Sequence, residues 1–232
     1  MLLGGLHKTS LIDYPGNISC ILFLSGCNFH CPYCHNPELA KGAAIGPDYL
    51  TQAWFLDFLK ERKTFLDAVV ISGGEPTLQK NLIGLCKEIK QIGYKIKIDT
   101  NGSFPHIIKQ LIDASLVDYI AMDIKTDPWA YPNVIAEDLE PGIILSAVRL
   151  LMSSGIAHEF RTTCVKPFVD KIIIGKIARH IQGAERYCLQ HAQDREVLNP
   201  GFFEGNDYRC TDAELIEFKT IAERWVKTCI IR

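Results

Sequence analysis

Residues 27–34 read Cys27-Asn-Phe-His-Cys31-Pro-Tyr-Cys34, which places three cysteines in a C-x3-C-x2-C spacing. The segment before them, residues 18–24 (Ile-Ser-Cys-Ile-Leu-Phe-Leu), is apolar and indicates a buried strand. A Ser-Gly pair then interrupts the apolar run. The sequence therefore predicts a loop at the end of a strand that can surround a metal centre with thiolates.

Three cysteines at this spacing suit more than one metal centre, because thiolates bind zinc, Cu(I) and iron–sulfur clusters. One interpretation is a Cys3His zinc site completed by His30 or His35, although each histidine is next to a cysteine, which makes joint ligation awkward. The other is a [4Fe–4S] cluster in which one iron lacks a protein ligand, since an electron-transfer cluster takes four cysteines. We favour the open-site cluster over zinc, with a disulfide a distant third.

Length and composition are those of an ordinary globular protein. The chain has 232 residues, of which 47% are hydrophobic and 22% charged. A formal net charge of −2 without a basic run argues against nucleic-acid binding through a broad cationic face. The N-terminus has no signal-peptide pattern, and no apolar segment approaches the ~18 residues of a membrane span. We expect a cytoplasmic protein without a membrane anchor.

Nine cysteines are present, and six of them lie outside the C-x3-C-x2-C segment. These six are scattered, mostly within apolar runs, and we expect them to be small buried hydrophobic residues. They are Cys20, Cys86, Cys164, Cys188, Cys210 and Cys229. Because they form no second group, no auxiliary cluster is expected.

Strands and helices alternate along the rest of the chain. Strands are predicted at about 17–24, 68–72, 94–100, 118–125, 158–165 and 186–190, and helices at about 47–63, 76–92, 106–114, 141–154, 170–182 and 211–229. Such β-α units imply parallel strands with right-handed crossovers, and their number is too small to close a TIM barrel. We predict an α/β fold, an incomplete, laterally open (β/α)6 partial TIM barrel. A doubly wound sheet is the alternative that periodicity alone leaves open.

The whole chain, residues 1–232, is predicted to be one domain, with a core over about 17–192 and a C-terminal helix at 211–229. Thr211-Asp-Ala-Glu214 has the capping-box pattern and marks the start of that helix.

Three predicted strands carry polar residues on one face. These faces hold Lys95, Lys97, Asp99 and Asn101 on the third strand, Asp123 and Lys125 on the fourth, and Glu159, Arg161 and Thr163 on the fifth. A parallel strand covered by helices on both faces would be apolar throughout, so we predict a polar cavity on this side. A solvated edge strand explains one such pattern but not three in succession.

Polar groups also follow the strand ends, where β/α barrels place their reacting groups. In the turn Ser72-Gly-Gly-Glu-Pro76, two glycines allow the backbone to approach a ligand and to hold the ammonium and carboxylate of an amino acid. Alone, the same turn is equally an ordinary strand-to-helix turn with proline at the helix start. The planar guanidinium of Arg161 suits a carboxylate partner, although a salt bridge within the cavity is the competing interpretation for Arg161, Asp123 and Lys125.

The cysteine motif, with the aromatic Tyr33 before its last cysteine, resembles the signature of the radical S-adenosylmethionine (SAM) superfamily. Residues 8–16 (Lys-Thr-Ser-Leu-Ile-Asp-Tyr-Pro-Gly) and 35–38 (His-Asn-Pro-Glu) resemble the activating proteins of anaerobic ribonucleoside-triphosphate reductases. Those proteins install a glycyl radical in a partner enzyme. The superfamily resemblance extends over most of the chain, whereas the subfamily resemblance depends mainly on residues 8–38.

The resemblance implies a set of site residues. Cys27, Cys31 and Cys34 would bind the [4Fe–4S] cluster and carry the catalysis. SAM would be held by Gly73 and Gly74 with Glu75 nearby, by the backbone of Tyr33 near the adenine, by Asp99 and Asn101, by the D-x-K residues Asp123 and Lys125, by Arg161 and, with a less certain strand register, by Gln190.

The implied activity is reductive cleavage of SAM to a 5′-deoxyadenosyl radical that generates a glycyl radical on an anaerobic ribonucleotide reductase, with a flavodoxin or ferredoxin as electron donor. The alternatives are an activase of another glycyl radical enzyme of the formate-lyase type, a radical SAM enzyme acting on a small molecule, as in the carboxy-deazaguanine synthases, and a non-enzymatic zinc-binding module.

Overall fold

The computed structural model describes residues 2–43, 47, 50–193, 197–203 and 207–232. Residues that contact one another most densely form two compact units. The first comprises Met1–Asn28, Asn36–Thr100 and His106–Ile120, and the second comprises Phe29–His35, Asn101–Pro105 and Ala121–Arg232.

Strands and helices alternate through most of the chain. The strands are β1 (Leu3–Ser10), β2 (Ser19–Leu24), β3 (Ala68–Gly73), β4 (Lys95–Thr100), β5 (Tyr119–Asp123), β6 (Ala157–Cys164), β7 (Tyr187–His191) and β8 (Cys229–Ile231), and their order in the sheet follows their order in the chain. The helices are α1 (Pro37–Ala40), α2 (Gln52–Glu61), α3 (Leu82–Ile92), α4 (Pro105–Asp113), α5 (Ile143–Ser154), α6 (Lys171–His180) and α7 (Asp212–Ala222). Single 3-10 turns occupy Pro76–Leu78 and Pro200–Phe203.

In the first unit, β1 pairs with β2 in antiparallel orientation, and β2, β3 and β4 pair in parallel. The central residues of β2 and β3 are buried and apolar, as expected of parallel strands covered on both sides, whereas β4 carries the buried Lys97 between Ile96 and Ile98. On one face, Tyr14 from the turn after β1 packs with Ile21, Ala68 and Val70 in a small buried cluster. This packing holds β2 and β3 in a register in which their carboxyl ends lie side by side.

In the second unit, β6, β7 and β8 pair in parallel. Arg161 is opposite Cys188 and Thr163 is opposite Gln190 in this register. Side chains that are opposite one another, or two residues apart along a strand, share a face. Glu159, Arg161 and Gln190 therefore stand on the same side of this part of the sheet.

Each of the six predicted strands overlaps an observed strand, from β2 to β7. Two strands were missed. β1 (Leu-Gly-Gly-Leu-His-Lys-Thr-Ser) contains two glycines, which weaken the strand pattern, and β8 has only three residues.

The predicted bounds of three helices were wrong. The predicted helix at 76–92 begins only at Leu82, because Pro76–Leu78 form a separate 3-10 turn that ends at the extended residue Gln79. The last helix ends at Ala222 rather than at 229, because the chain turns after Ala222 and residues 229–231 join the sheet as β8. The predicted helix at 47–63 begins only at Gln52, because Thr51 adopts an extended conformation and caps it by accepting a hydrogen bond from the backbone of Trp54. Residues 48 and 49 of that prediction lie outside the described residues.

The predicted capping box is present at the start of α7. Thr211 Oγ1 accepts from the Glu214 backbone N–H, and the Glu214 carboxylate accepts from the Thr211 backbone N–H at 2.8 Å. The six scattered cysteines are buried and none of the nine forms a disulfide, which confirms the prediction for them. Among the described residues, no helix has the length and apolar character needed to cross a bilayer.

Candidate active site

The first unit carries Cys27 directly after the end of β2. The backbone N–H of Gly26 donates to the Leu39 carbonyl at 2.7 Å, and that of Cys27 donates to the Ala40 carbonyl at 3.2 Å. Both acceptors belong to the short helix α1. The backbone at this cysteine is therefore anchored on a helix, while the thiol remains partly exposed.

The second unit carries Cys31 and Cys34, which form a tight turn closed by a hydrogen bond from Cys34 N to Cys31 O at 2.9 Å. The turn is held at several points. The backbone N–H of His30 donates to Ile135 O at 2.7 Å, and the N–H of Asn199 donates to Pro32 O at 3.0 Å. Burial raises the pKa of the Cys31 thiol to about 11, with the nearby Lys125 ammonium acting in the opposite direction.

The donor chemistry of this loop suits an iron–sulfur cluster. None of the three cysteines is in a disulfide. Among the described residues, no three His, Cys, Asp or Glu side chains lie close enough together to bind one metal ion. A cluster does not require such convergence, because its cysteine thiolates bind different irons. The thiolate form of the buried Cys31 would be stabilised by bound iron, since a coordinating thiol is deprotonated.

Gly73 and Gly74 are required by the close approach of two backbones in the first unit. A Cβ atom at Gly73 would lie 2.3 Å from Leu24 O, and Gly73 has a φ of +116°. A Cβ atom at Gly74 would lie 2.1 Å from Gly26 O. Gly74 N–H donates to Leu24 O, and Glu75 N–H donates to Gly26 O, each at 2.8 Å. The turn after β3 is thus fastened to the backbone immediately before Cys27.

The Glu75 carboxylate binds groups of the chain itself. Its Oε1 accepts from the backbone N–H of Thr77 at 3.0 Å, from the Thr77 hydroxyl, and from the Thr100 hydroxyl at 2.7 Å. Glu75 is only 1% exposed and caps the 3-10 turn that follows. These contacts give Glu75 a structural function in connecting the ends of β3 and β4.

Asp99, near the end of β4, is held by two neighbours in the first unit. Lys97 Nζ lies 2.5 Å from Asp99 Oδ1, and the Ser72 hydroxyl donates to Asp99 Oδ2 at 3.1 Å. Lys97 is 1% exposed, so its ammonium is compensated inside the protein by this carboxylate. Asn101 belongs to the second unit, where its Oδ1 accepts from the backbone N–H of Ser103 at 2.9 Å and from the Ser103 hydroxyl at 2.6 Å.

Asp123, Lys125 and Arg161 form one charged network in the second unit. Arg161 Nε lies 2.7 Å from Asp123 Oδ1, and Lys125 Nζ lies 3.0 Å from Asp123 Oδ2. Burial alone would raise the pKa of Asp123, but the charges and hydrogen bonds of Arg161 and Lys125 hold it well below its usual value. Burial alone would lower the pKa of Lys125, and the Asp123 carboxylate raises it instead. Two cations and one anion leave a net positive site.

Tyr131 is a member of the site that the sequence did not indicate. Its hydroxyl accepts from the backbone N–H of Lys125 at 2.7 Å, and its ring lies 5.7 Å from that of Phe29, between ring centroids. It therefore connects the D-x-K segment with the cysteine turn of the same unit. Tyr131 lies in a long connection without hydrophobic periodicity, so the sequence offered no signal for it.

Tyr33 is 3% exposed and its ring packs against Phe168 at 5.7 Å between centroids. Its hydroxyl has no hydrogen-bond partner among the described residues. Burial, together with the charges of Cys31, Tyr131 and Asp123, holds the pKa of this phenol well above its usual value.

Comparison with known proteins identifies the family. The family pattern of the radical SAM superfamily matches residues 21–172. The chain belongs to the radical SAM superfamily. It is 35% identical, over 100% of its own length and 95% of the relative's, to a protein of Methanocaldococcus jannaschii assigned by name as a glycyl-radical enzyme activating enzyme. It is 34% identical to a pyruvate formate-lyase-activating enzyme of Clostridium pasteurianum over 54% of each chain.

The fold is also that of solved radical SAM structures. The SuiB protein of Streptococcus suis, bound to its precursor peptide SuiA, matches with a TM-score of 0.66 at 14% identity, covering 91% of this chain and 48% of that one. The predicted fold class, an open α/β partial barrel, is confirmed. So is the predicted family: this is a radical SAM enzyme of the oxidoreductase type, homologous to glycyl-radical enzyme activating enzymes, that uses a [4Fe–4S] cluster and SAM.

Proposed function

We propose that this radical SAM enzyme generates a glycyl radical on a partner protein, and that the partner is an anaerobic ribonucleotide reductase. The observation that carries the proposal is the full-length similarity to the Methanocaldococcus activating enzyme. The choice of reductase comes from residues 8–16 and 35–38, which resemble the activating proteins of those enzymes.

Cys27, Cys31 and Cys34 would hold the cluster. When bound, the [4Fe–4S] cluster supplies the electron that splits SAM into methionine and a 5′-deoxyadenosyl radical, which then takes a hydrogen atom from a glycine Cα. The protein binds and orients the reactants and excludes water. No general base is required for these tasks.

The Asp123, Lys125 and Arg161 network gives the second unit a site for a carboxylate. Its net positive charge and the planar fork of Arg161 suit the carboxylate of the methionine part of SAM. Lys125 would reach that carboxylate or the substrate backbone. Gln190 stands on the same face as Arg161 and would add a neutral hydrogen-bonding group. The Asp123 carboxylate keeps both cations charged and in fixed positions when no ligand is bound.

In the first unit, the backbone of Gly73 and Gly74 would meet the SAM amino group, with Glu75 maintaining the turn. Asp99, and in the second unit Asn101, would bind the ribose or the amino group. The backbone of Tyr33 would lie near the adenine.

A second candidate partner is a glycyl radical enzyme of the formate-lyase type. The specific observation in its favour is the 34% identity with the Clostridium pyruvate formate-lyase-activating enzyme over about half of each chain. A flavodoxin or ferredoxin is the proposed electron donor. A cytoplasmic location is proposed because none of the nine cysteines forms a disulfide, which suits a reducing compartment.

The test begins with anaerobic reconstitution of the protein with iron and sulfide, followed by incubation with SAM and dithionite. 5′-Deoxyadenosine is the expected product. Adding each of the two candidate partners in turn and recording the electron paramagnetic resonance (EPR) spectrum shows which of them acquires a glycyl radical. A radical on the reductase supports the first assignment, a radical only on the formate-lyase type replaces it by the second, and no 5′-deoxyadenosine at all refutes the proposed activity.

A further inference from the structure

The turn that carries Cys31 and Cys34 is contacted by a segment from far along the chain. The backbone N–H of Asn199 donates to the carbonyl of Pro32, between those two cysteines, at 3.0 Å. Asn199 directly precedes the 3-10 turn Pro200–Phe203, and all of these residues belong to the second unit. The family pattern of the radical SAM superfamily matches residues 21–172, so this segment lies outside the part of the chain that the pattern describes.

A row of three aromatic rings extends this contact. The Tyr33 ring lies 5.7 Å from that of Phe168, and the Phe168 ring lies 5.4 Å from that of Phe202, between centroids and with planes inclined by only 16°. Tyr33 and Phe168 are buried, whereas Phe202 is 37% exposed. Paired aromatic rings stabilise a structure beyond the area that they bury. The side chain that directly precedes Cys34 is therefore supported from outside by two further rings.

The same segment is fixed to the sheet of the second unit. The ring of Phe203 lies 4.2 Å from that of Tyr208, between centroids. The carbonyl of Tyr208 accepts from the backbone N–H of Lys166 at 2.8 Å, and Val165 forms a β-bridge with Arg209. Val165 and Lys166 directly follow β6. Residues 199–203 thus connect the end of a strand with the cysteine turn.

We infer that residues 199–203, acting through the stack of Phe202 on Phe168, position the turn of Cys31 and Cys34 for cluster binding. A ligand-binding segment that is ordered in only a fraction of the molecules lowers the apparent affinity by that fraction, so a support that keeps the turn in place strengthens iron binding. Phe202 is a positioning residue, because it acts on the cysteines through Phe168 and Tyr33. This inference rests on the proposed cysteine ligands and adds a requirement for a segment after β7.

The test compares Phe202→Ala with Trp54→Ala. Trp54 is a matched control, because its ring is also partly exposed and stacks on a buried phenylalanine, Phe58, at 5.7 Å with planes inclined by 11°, but in α2 of the first unit. Both variants are expected to lower the melting temperature of the cluster-free protein. After anaerobic reconstitution without SAM, the chelator concentration that removes half of the iron should fall about tenfold for F202A, the size expected for loss of an aromatic stack, and stay at the wild-type value for W54A.

Phe202→Tyr provides a conservative rescue. It keeps the ring, and because residue 202 is partly exposed, the added hydroxyl can reach water. F202Y should therefore retain iron as the wild type does. Iron loss from F202Y equal to that from F202A contradicts a function of the ring stack.

Wild-type iron retention in a folded F202A protein overturns the inference. Equal iron loss from F202A and W54A also overturns it, because retention would then follow overall stability. Should F202A fail to fold, hydrogen–deuterium exchange of the wild type provides the test. Cluster assembly should slow exchange in residues 199–203 together with the cysteine turn, and slowing in the cysteine turn alone contradicts the assignment. If the wild type binds no iron, it is the proposed function that fails.

Discussion

The Nε atom of Arg161 lies 2.7 Å from Oδ1 of Asp123, although the two residues are 38 positions apart in the chain. The same carboxylate binds Lys125 through its other oxygen at 3.0 Å. One carboxylate thus compensates two largely buried cations that stand where a substrate carboxylate is proposed to bind. Removing the Asp123 carboxylate would leave both cations buried without a counter-charge and without water to solvate them.

Replacing Asp123 by asparagine is therefore expected to destabilise the fold. The variant keeps the shape of the side chain but leaves Arg161 and Lys125 without a counter-charge, and breaking such a pair costs about 3–5 kcal/mol. Urea denaturation of the cluster-free protein measures the change. Asp127→Asn is the matched control, because Asp127 pairs at 2.7 Å with Lys176, whose side chain is half exposed, and its loss should cost about 1 kcal/mol or less. Equal losses in the two variants would contradict the structural account.

The same carboxylate predicts a pH dependence of stability. The pKa of Asp123 in the folded protein is held well below its usual value of 3.8 by Arg161 and Lys125, which outweigh the opposing effect of burial. A group whose pKa is lower in the folded state stabilises the fold above its unfolded pKa, and this contribution disappears as the pH falls from there through the folded pKa. The stability difference between wild type and D123N should therefore be constant near neutral pH and shrink below about pH 4. A difference that grows on acidification would show that the sign is wrong.

Gly74→Ala is expected to disturb the turn after β3. The added Cβ would lie 2.1 Å from Gly26 O, so the backbone before Cys27 must move, at a cost of about 1–3 kcal/mol. We expect weaker iron binding as well, measured as iron retained after gel filtration. Gly175→Ala in α6 is the control, since its Cβ would make an ordinary contact at 3.8 Å with Ile221, and replacing a helical glycine should add about 0.5–1 kcal/mol of stability.

Cys31→Ala should abolish the iron–sulfur absorption and the formation of 5′-deoxyadenosine from SAM and dithionite. The wild type should contain about four irons per chain. Cys86→Ala is the control, because Cys86 is buried in α3 and is not a proposed ligand. It should retain both iron and product formation. Continued cleavage of SAM by C31A would refute the ligand assignment.

Local sequence patterns were sufficient to predict much of the fold. The apolar run at 18–24 and the alternating strands that carry Lys97, Asp123 and Arg161 identified strands from the chemistry of neighbouring residues alone. β1 was not predicted because its two glycines weaken the strand pattern, and β8 was not predicted because three residues are too few to show a strand periodicity.

Only those parts of the site that form short local motifs were predicted from the sequence. The cysteine spacing and the Gly-Gly-Glu-Pro turn could be found in the sequence. The structural role of Glu75 could not, because its acceptor oxygen meets Thr100, 25 residues away in the chain. Nor could the contact of Tyr131 with the Lys125 backbone, which depends on the course of an irregular connection. Such contacts are set by tertiary packing rather than by residue pattern.

The burial of Lys97 supplies a natural reporter of unfolding. Lys95 and Lys97 belong to the same strand, yet Lys95 is exposed and Lys97 is 1% exposed. An amine-reactive reagent should therefore acylate Lys95 in the native protein and leave Lys97 unmodified until the surrounding structure opens. Mass spectrometry of a single peptide containing both lysines would then measure the fraction of open molecules as the ratio of Lys97 to Lys95 modification, without any change to the sequence.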